Sequence, residues 1–142
     1  MRILVADVPE THSRLKEILV GFELHFVDGM PSALRSLKAE PFDLLIIGLQ
    51  FDESSMFDLV RQARENESSR QLPIICIRGD RLRSALSIER FDASLRLLGV
   101  CETIDFKDYP PTYDGNGSIR RRILASVMWE RDEACHKSGT GG

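Results

Sequence analysis

Short apolar runs alternate with amphipathic stretches along this chain, and no other feature limits its fold as tightly. The runs cover residues 3–6, 24–27, 44–47, 74–77 and 103–106. Between them, Leu15, Ile18, Leu19 and Phe22 recur at the i, i+3, i+4, i+7 spacing of one helix face, as do Met56, Leu59, Val60 and Ala63. A shorter helix is predicted over 31–38: Pro31 suits a first turn after the Asp28-Gly29 turn signal, and Ala33, Leu34 and Leu37 form its apolar side. A longer helix is predicted over 82–98, with Leu82, Leu86, Phe91, Leu95 and Leu98 on one side and Gly99 as its stop. Residues 109–117 are dense in Pro, Gly, Asn and Asp and read as a loop. Ser118 then reads as the N-cap of a last helix over 119–131, with Ile123 and Val127 inward, and 132–142 as a flexible tail.

Strands alternating with helices predict parallel pairing through crossover helices. The expected architecture is α/β: a doubly wound five-stranded parallel sheet with helices on both faces, one domain over 1–131. The runs at 3–6, 44–47 and 74–77 are nearly continuous in aliphatic residues, as strands covered on both faces are, whereas those at 24–27 and 103–106 are mixed and read as edges. In such sheets ligands bind beyond the carboxyl ends of the strands. Chemistry is therefore expected just after the strands, at Asp7 and Val8, Gly48, Arg78 and Phe106.

Composition excludes several classes of function. The 142 residues are 42% hydrophobic and 29% charged, the make-up of one folded domain. Nineteen Lys and Arg against 22 Asp and Glu leave a net charge of -3, so no basic field draws the chain directly to nucleic acid. No apolar run is long enough for a signal peptide or a membrane span, and a cytoplasmic protein is expected. Cys76, Cys101 and Cys135 are odd in number and far apart, which suits reduced thiols better than disulfides or a zinc site. His12, His25 and His136 are scattered and receive no role. With no Gly-rich phosphate loop, metal-ligand cluster or nucleophile elbow, neither an enzyme nor a bound cofactor is expected.

Several of the runs carry further detail. Ile3-Leu4-Val5-Ala6-Asp7 resembles the first strand and acidic pair of response regulator receiver (CheY-like) domains. Asp43-Leu44-Leu45-Ile46-Ile47-Gly48-Leu49 resembles their third strand, which leads into the phospho-acceptor aspartate. Leu72-Pro73-Ile74-Ile75-Cys76-Ile77 resembles the fourth strand, and Gly99-Val100 with Thr103-Ile104 the fifth. The likeness spans residues 1–131, with extra residues between Arg78 and Gly99 and before Ser118. It implies the flavodoxin-like (βα)5 fold and a place in two-component, phosphorelay-type signalling. Members pass a phosphoryl group from a phosphohistidine to the aspartate, with Mg²⁺ on neighbouring carboxylates and a hydroxyl and a lysine reading the product. Each group offsets charge on the transferring phosphoryl oxygens.

This chain departs from that pattern throughout the pocket. Gly48 stands at the acceptor position and has nothing to phosphorylate. Val8 takes the second place of the acidic pair, or, with the alignment slipped by one, Ala6 the first; a lone carboxylate is a poor Mg²⁺ site. Arg78 replaces the hydroxyl and Phe106 the lysine, with Lys107 one residue on and facing the other way if the strand extends so far. The resemblance therefore implies a degenerate, stand-alone pseudo-receiver acting through protein contacts. Alternatives are phosphotransfer on an off-position acid, Asp52 or Glu53, and a small α/β enzyme using the strand ends. Arg78 is expected either to pair with Asp7, Asp52 or Glu53 or to point to solvent. Ser54 and Ser55 read as caps of the third helix.

Arg120, Arg121 and Arg122 open the last helix as predicted over 119–131, where cations gain nothing from the dipole. With Met128 and Trp129 off the inward stripe, they read as a partner-binding surface, placed on the face of the fourth helix, fifth strand and fifth helix that related receivers use. The expected partner is a signalling protein, a histidine kinase or another regulator, or a second copy in a homodimer; no membrane contact is expected.

Overall fold

The computed structural model describes residues 1–53, 55–79 and 88–131, the side chains of 129–131 excepted. The strands are β1 (Arg2–Ala6), β2 (Glu23–Val27), β3 (Leu44–Gly48), β4 (Ile74–Arg78) and β5 (Glu102–Asp105). The helices are α1 (His12–Ile18), α2 (Met30–Ala39), α3 (Met56–Glu65), α4 (Asp92–Leu97) and α5 (Tyr113–Arg131). All neighbouring strands run parallel in the order β2-β1-β3-β4-β5. The mixed runs form the two edges, and the fold is the flavodoxin-like one expected.

Strand periodicity divides the core in two. Ile3 and Val5, Leu44 and Ile46, and Ile75 and Ile77 project to one side, where Leu15, Ile18 and Leu19 meet Ile119, Ile123 and Val127. Leu4 and Ala6, Leu45 and Ile47, and Ile74 and Cys76 project to the other, beneath Leu37, Leu59, Val60 and Leu95. A one-residue slip in any central strand would exchange these two sets, so both layers fix the register.

Arginines close the ends of this sandwich. Arg64 on α3 donates to the carbonyls of Arg70, Leu72 and Gly99 at 2.7–2.9 Å, joining the segments that enter β4 and β5. Arg14, 8% exposed on α1, donates to the carbonyls of Phe106, Tyr109 and Pro110 and to the Asn116 side chain, and lies over the Phe106 ring. These bonds satisfy loop carbonyls that no strand or helix takes up.

Element boundaries depart from expectation at four places. Helix α1 stops at Ile18, and Gly21, at φ +96°, turns the chain before Phe22, which packs on the core from outside the helix. Strand β5 ends at Asp105, because Phe106–Asp108 winds into a 3-10 turn whose Lys107 N–H binds the Asp105 carboxylate. The helix predicted over 82–98 is described from residue 88 on, as a 3-10 turn at Ile88–Phe91 followed by α4; Leu82 and Leu86 lie outside the described residues. Gly99, at φ +88°, ends it as expected.

The largest departure is at α5, which begins at Tyr113 where a loop and a Ser118 cap were predicted. The Thr112 hydroxyl accepts the Gly115 N–H, and its carbonyl the Asn116 N–H, so Thr112 fills the capping role. Gly115 then lies so close to Pro110 that a β-carbon would fall 1.8 Å from the Pro110 carbonyl oxygen. Packing overrides the turn-forming composition here. Among the described residues no helix is long and apolar enough to cross a membrane.

An exposed helical Gly→Ala change normally stabilises by about 1 kcal/mol. At Gly115 the sign reverses, since the obstacle is backbone: Gly115→Ala is expected to lower the urea-unfolding free energy by about 1–3 kcal/mol.

Candidate functional site

Pairing of Ala6 with Ile47 sets Asp7, just beyond β1, beside Gly48 at the end of β3. Asp7 is 2% exposed, deep in the fold and not in an open cleft. One carboxylate oxygen accepts the Val8 N–H and the other the Thr11 hydroxyl, each at 2.7 Å. The carboxyl leans over the Gly48 backbone, into space that only glycine leaves open. A β-carbon at residue 48 would lie 1.9 Å from Asp7 Cγ. Thr11 presses likewise on β4's exit, where a β-carbon at Gly79 would come within 2.3 Å of Thr11 Cγ2. Two side chains from the β1–α1 connection thus fill the volume over β3 and β4.

Burial pushes the Asp7 carboxyl up to about 6, an effect the Thr11 hydroxyl and Val8 N–H only partly offset and the nearby Glu10 reinforces. A buried carboxyl with two donors and no cation holds its proton longer than an exposed one.

Arg78, at the end of β4, pairs with Asp105, its register partner on β5, at 3.2 Å. The two side chains are 5% and 6% exposed, so the ion pair is buried. Arg78 therefore enters the protein and does not point to solvent. The pairing with Asp7, Asp52 or Glu53 is corrected: Asp7 is held as described, and the Asp52 carboxylate accepts the Met30 N–H at 2.8 Å, at the start of α2. Asp52 and Glu53 both have positive φ, 42° and 55°, a tight left-handed bend that leaves Glu53 exposed. The Ser55 hydroxyl donates to the Asp52 carbonyl instead of capping α3, and Ser54 lies outside the described residues.

Phe106 is fully buried in the α1/α5 layer, an anchor of the core and not a reader of anything in the pocket. Lys107 is exposed in the turn. Val8 contributes its N–H rather than its side chain.

The arginine triplet is split. With α5 beginning at Tyr113, Arg120–Arg122 lie beyond its first two turns, and the dipole argument no longer applies. Arg120 donates to the carbonyls of Ile18 and Val20 and stacks on Phe22. Arg122 binds the Tyr109 hydroxyl, the Thr103 carbonyl and Glu102. Both are internal cross-links, so only Arg121 of the triplet remains exposed, beside Met128 at 66% exposure. The Trp129 side chain lies outside the described residues.

Sequence reasoning missed Thr11, Arg14 and Asp105. Thr11 and Arg14 sit on the inward side of the α1 approach, four and one residues before Leu15, and could have been found by extending that stripe. Asp105 has no such signal without the β4/β5 register.

The residues present do not fit the family's Mg²⁺. Both Asp7 oxygens are committed, Gly48 supplies no side-chain oxygen, and among the described residues no three His, Cys, Asp or Glu side chains gather as a metal site.

No protein-family model matches the chain, and no curated protein matches its sequence. Its structural neighbours are response regulator receiver domains. A CheY-like receiver domain protein from Methanospirillum hungatei JF-1 superposes with TM-score 0.70 at 20% identity, covering 94% of this chain and 98% of that one. A putative response regulator from Chloroflexus aurantiacus J-10-fl gives 0.70 at 18% identity, covering 89% and 97%. The receiver domain of a sensor histidine kinase from Pseudomonas aeruginosa PAO1, with a magnesium ion coordinated in its active site cleft, gives 0.66 at 18% identity, covering 89% and 96%. At these identities the likeness shows the fold.

Gly48→Ala is expected to destabilise by about 1–3 kcal/mol, and Asp7→Ala to relieve most of that loss in the double variant. Additive losses in denaturant melts would contradict the shared volume. Asp7 also predicts a pH dependence. Its folded pKa lies above the unfolded one, so its contribution is full at low pH and lost as pH rises through about 6. Relative to Asp7→Asn, the native chain should lose up to about 3 kcal/mol between pH 4 and 7, and parallel stability curves would contradict this.

Proposed function

We propose that this chain is a receiver-like binding module of two-component-type signalling, not an enzyme, whose output is contact with a protein partner and does not depend on phosphorylation. The observation that carries this reading is the Asp7 carboxyl standing where an acceptor side chain would leave the backbone at Gly48. Phosphoryl transfer to a receiver needs a nucleophilic carboxylate, a cation and a reader of the product at one place. Here glycine, a carboxyl committed to Thr11 and Val8, and a buried Arg78–Asp105 pair stand at those places.

The Arg78–Asp105 pair ties the exits of β4 and β5 together through a buried ion pair. The charge of a phosphoryl group arrives and leaves, whereas both members of this pair belong to the chain itself. Transfer to Asp52 is disfavoured by its bond to the start of α2, and Glu53 has no acid beside it in the left-handed bend to share a cation except Asp52 itself. The partner in this reading is a signalling protein, a histidine kinase or another regulator.

Incubation with acetyl phosphate and Mg²⁺, followed by intact mass and cross-linking to co-purifying proteins, tests the proposal. The expected result is an unchanged mass and an unchanged set of cross-linked partners. A phosphoryl adduct on Asp52 or Glu53, or partners gained only after treatment, would overturn it.

A further inference from the structure

Of the four exposed large apolar side chains among the described residues, Val20, Tyr113 and Met128 belong to the α1 end and to α5, at 69%, 93% and 66% exposure. A groove of about 550 Å³ separates the end of α1 from the first turns of α5. Along its α5 rim stand Asp114, Gly117 and Arg121. Arg121 reaches the Ser118 hydroxyl of its own helix, 3.1 Å away, and makes no ion pair among the described residues. Asp114, exposed, has no bonded partner there either. Seven residues is two helical turns, so Asp114 and Arg121 share one face, about 10 Å apart.

That arrangement is self-complementary. If two copies of α5 pack antiparallel about a two-fold axis between Gly117 and Ser118, Arg121 of each copy falls opposite Asp114 of the other. Small residues at the axis let the helices approach closely, and a side chain at Gly117 would meet nothing nearer than Arg121 Nη1 at 3.4 Å. A two-fold interface requires such a patch, since one surface must supply both halves of every contact. On the described part of the face of α4, β5 and α5, Arg96 and Arg122 instead pair with Glu102 of the same chain.

We propose that the α1/α5 face is an interface between two copies of this chain, with α5 antiparallel to α5 and Arg121 paired with Asp114 across the axis. The proposal rests on the contact-based reading above, and sedimentation tests it without reference to phosphorylation.

Sedimentation velocity of the full chain across the micromolar range should show a reversible monomer–dimer equilibrium. Arg121→Asp alone, which sets acid against acid, and Asp114→Arg alone, which sets base against base, should each weaken it by at least about tenfold. Mixing the two variants should restore dimers, because the heterodimer regains both ion pairs, and that recovery shows that each variant is folded. A native chain that stays monomeric throughout the range, charge variants that dimerise undiminished, or a mixture that recovers nothing would overturn the proposal.

Discussion

Two groups cannot occupy the space beside the last residue of β3, and in this protein the Asp7 carboxyl has it. Everything at the carboxyl edge of the sheet follows from that exclusion. Glycine is required at residue 48, Thr11 turns inward to supply the hydroxyl that a buried carboxyl needs, and Gly79 makes room for the Thr11 methyl. The cluster is small and buried, with Asp7 2% and Thr11 4% exposed.

Around that plug the chain relies on guanidinium groups. Arg14, Arg64 and Arg120 deliver planar sets of donors to carbonyls of irregular segments, and Arg122 adds a carboxylate and a phenol. An ammonium could not span several acceptors in this way, so Lys in place of Arg14 or Arg64 is not a conservative change.

The sheet was legible because its signal is strong: three aliphatic runs and two mixed ones determine strand identity, order of burial and edges with no help from tertiary contacts. The site was legible where a residue type is absent, as at Gly48, and where an unusual one appears, as at Arg78. Its partners were not. Arg78 finds Asp105, 27 residues further along the sequence, through the register of two strands, a relation that local pattern does not encode. The start of α5 was misread for the same reason. Gly115, Asn116 and Gly117 favour a turn on their own, and only the close approach of Gly115 to Pro110 and the Arg14–Asn116 bond make a helix the better arrangement.

Arg14 also bears on how the molecule is made. Four of its acceptors lie 92 to 102 residues further along the chain. During synthesis α1 leaves the ribosome long before the segment that must take up its guanidinium, and the layer that it shares with α5 cannot close until Asn116 has emerged. The first strand and helix therefore wait, with an apolar face open, for a segment far downstream of α1.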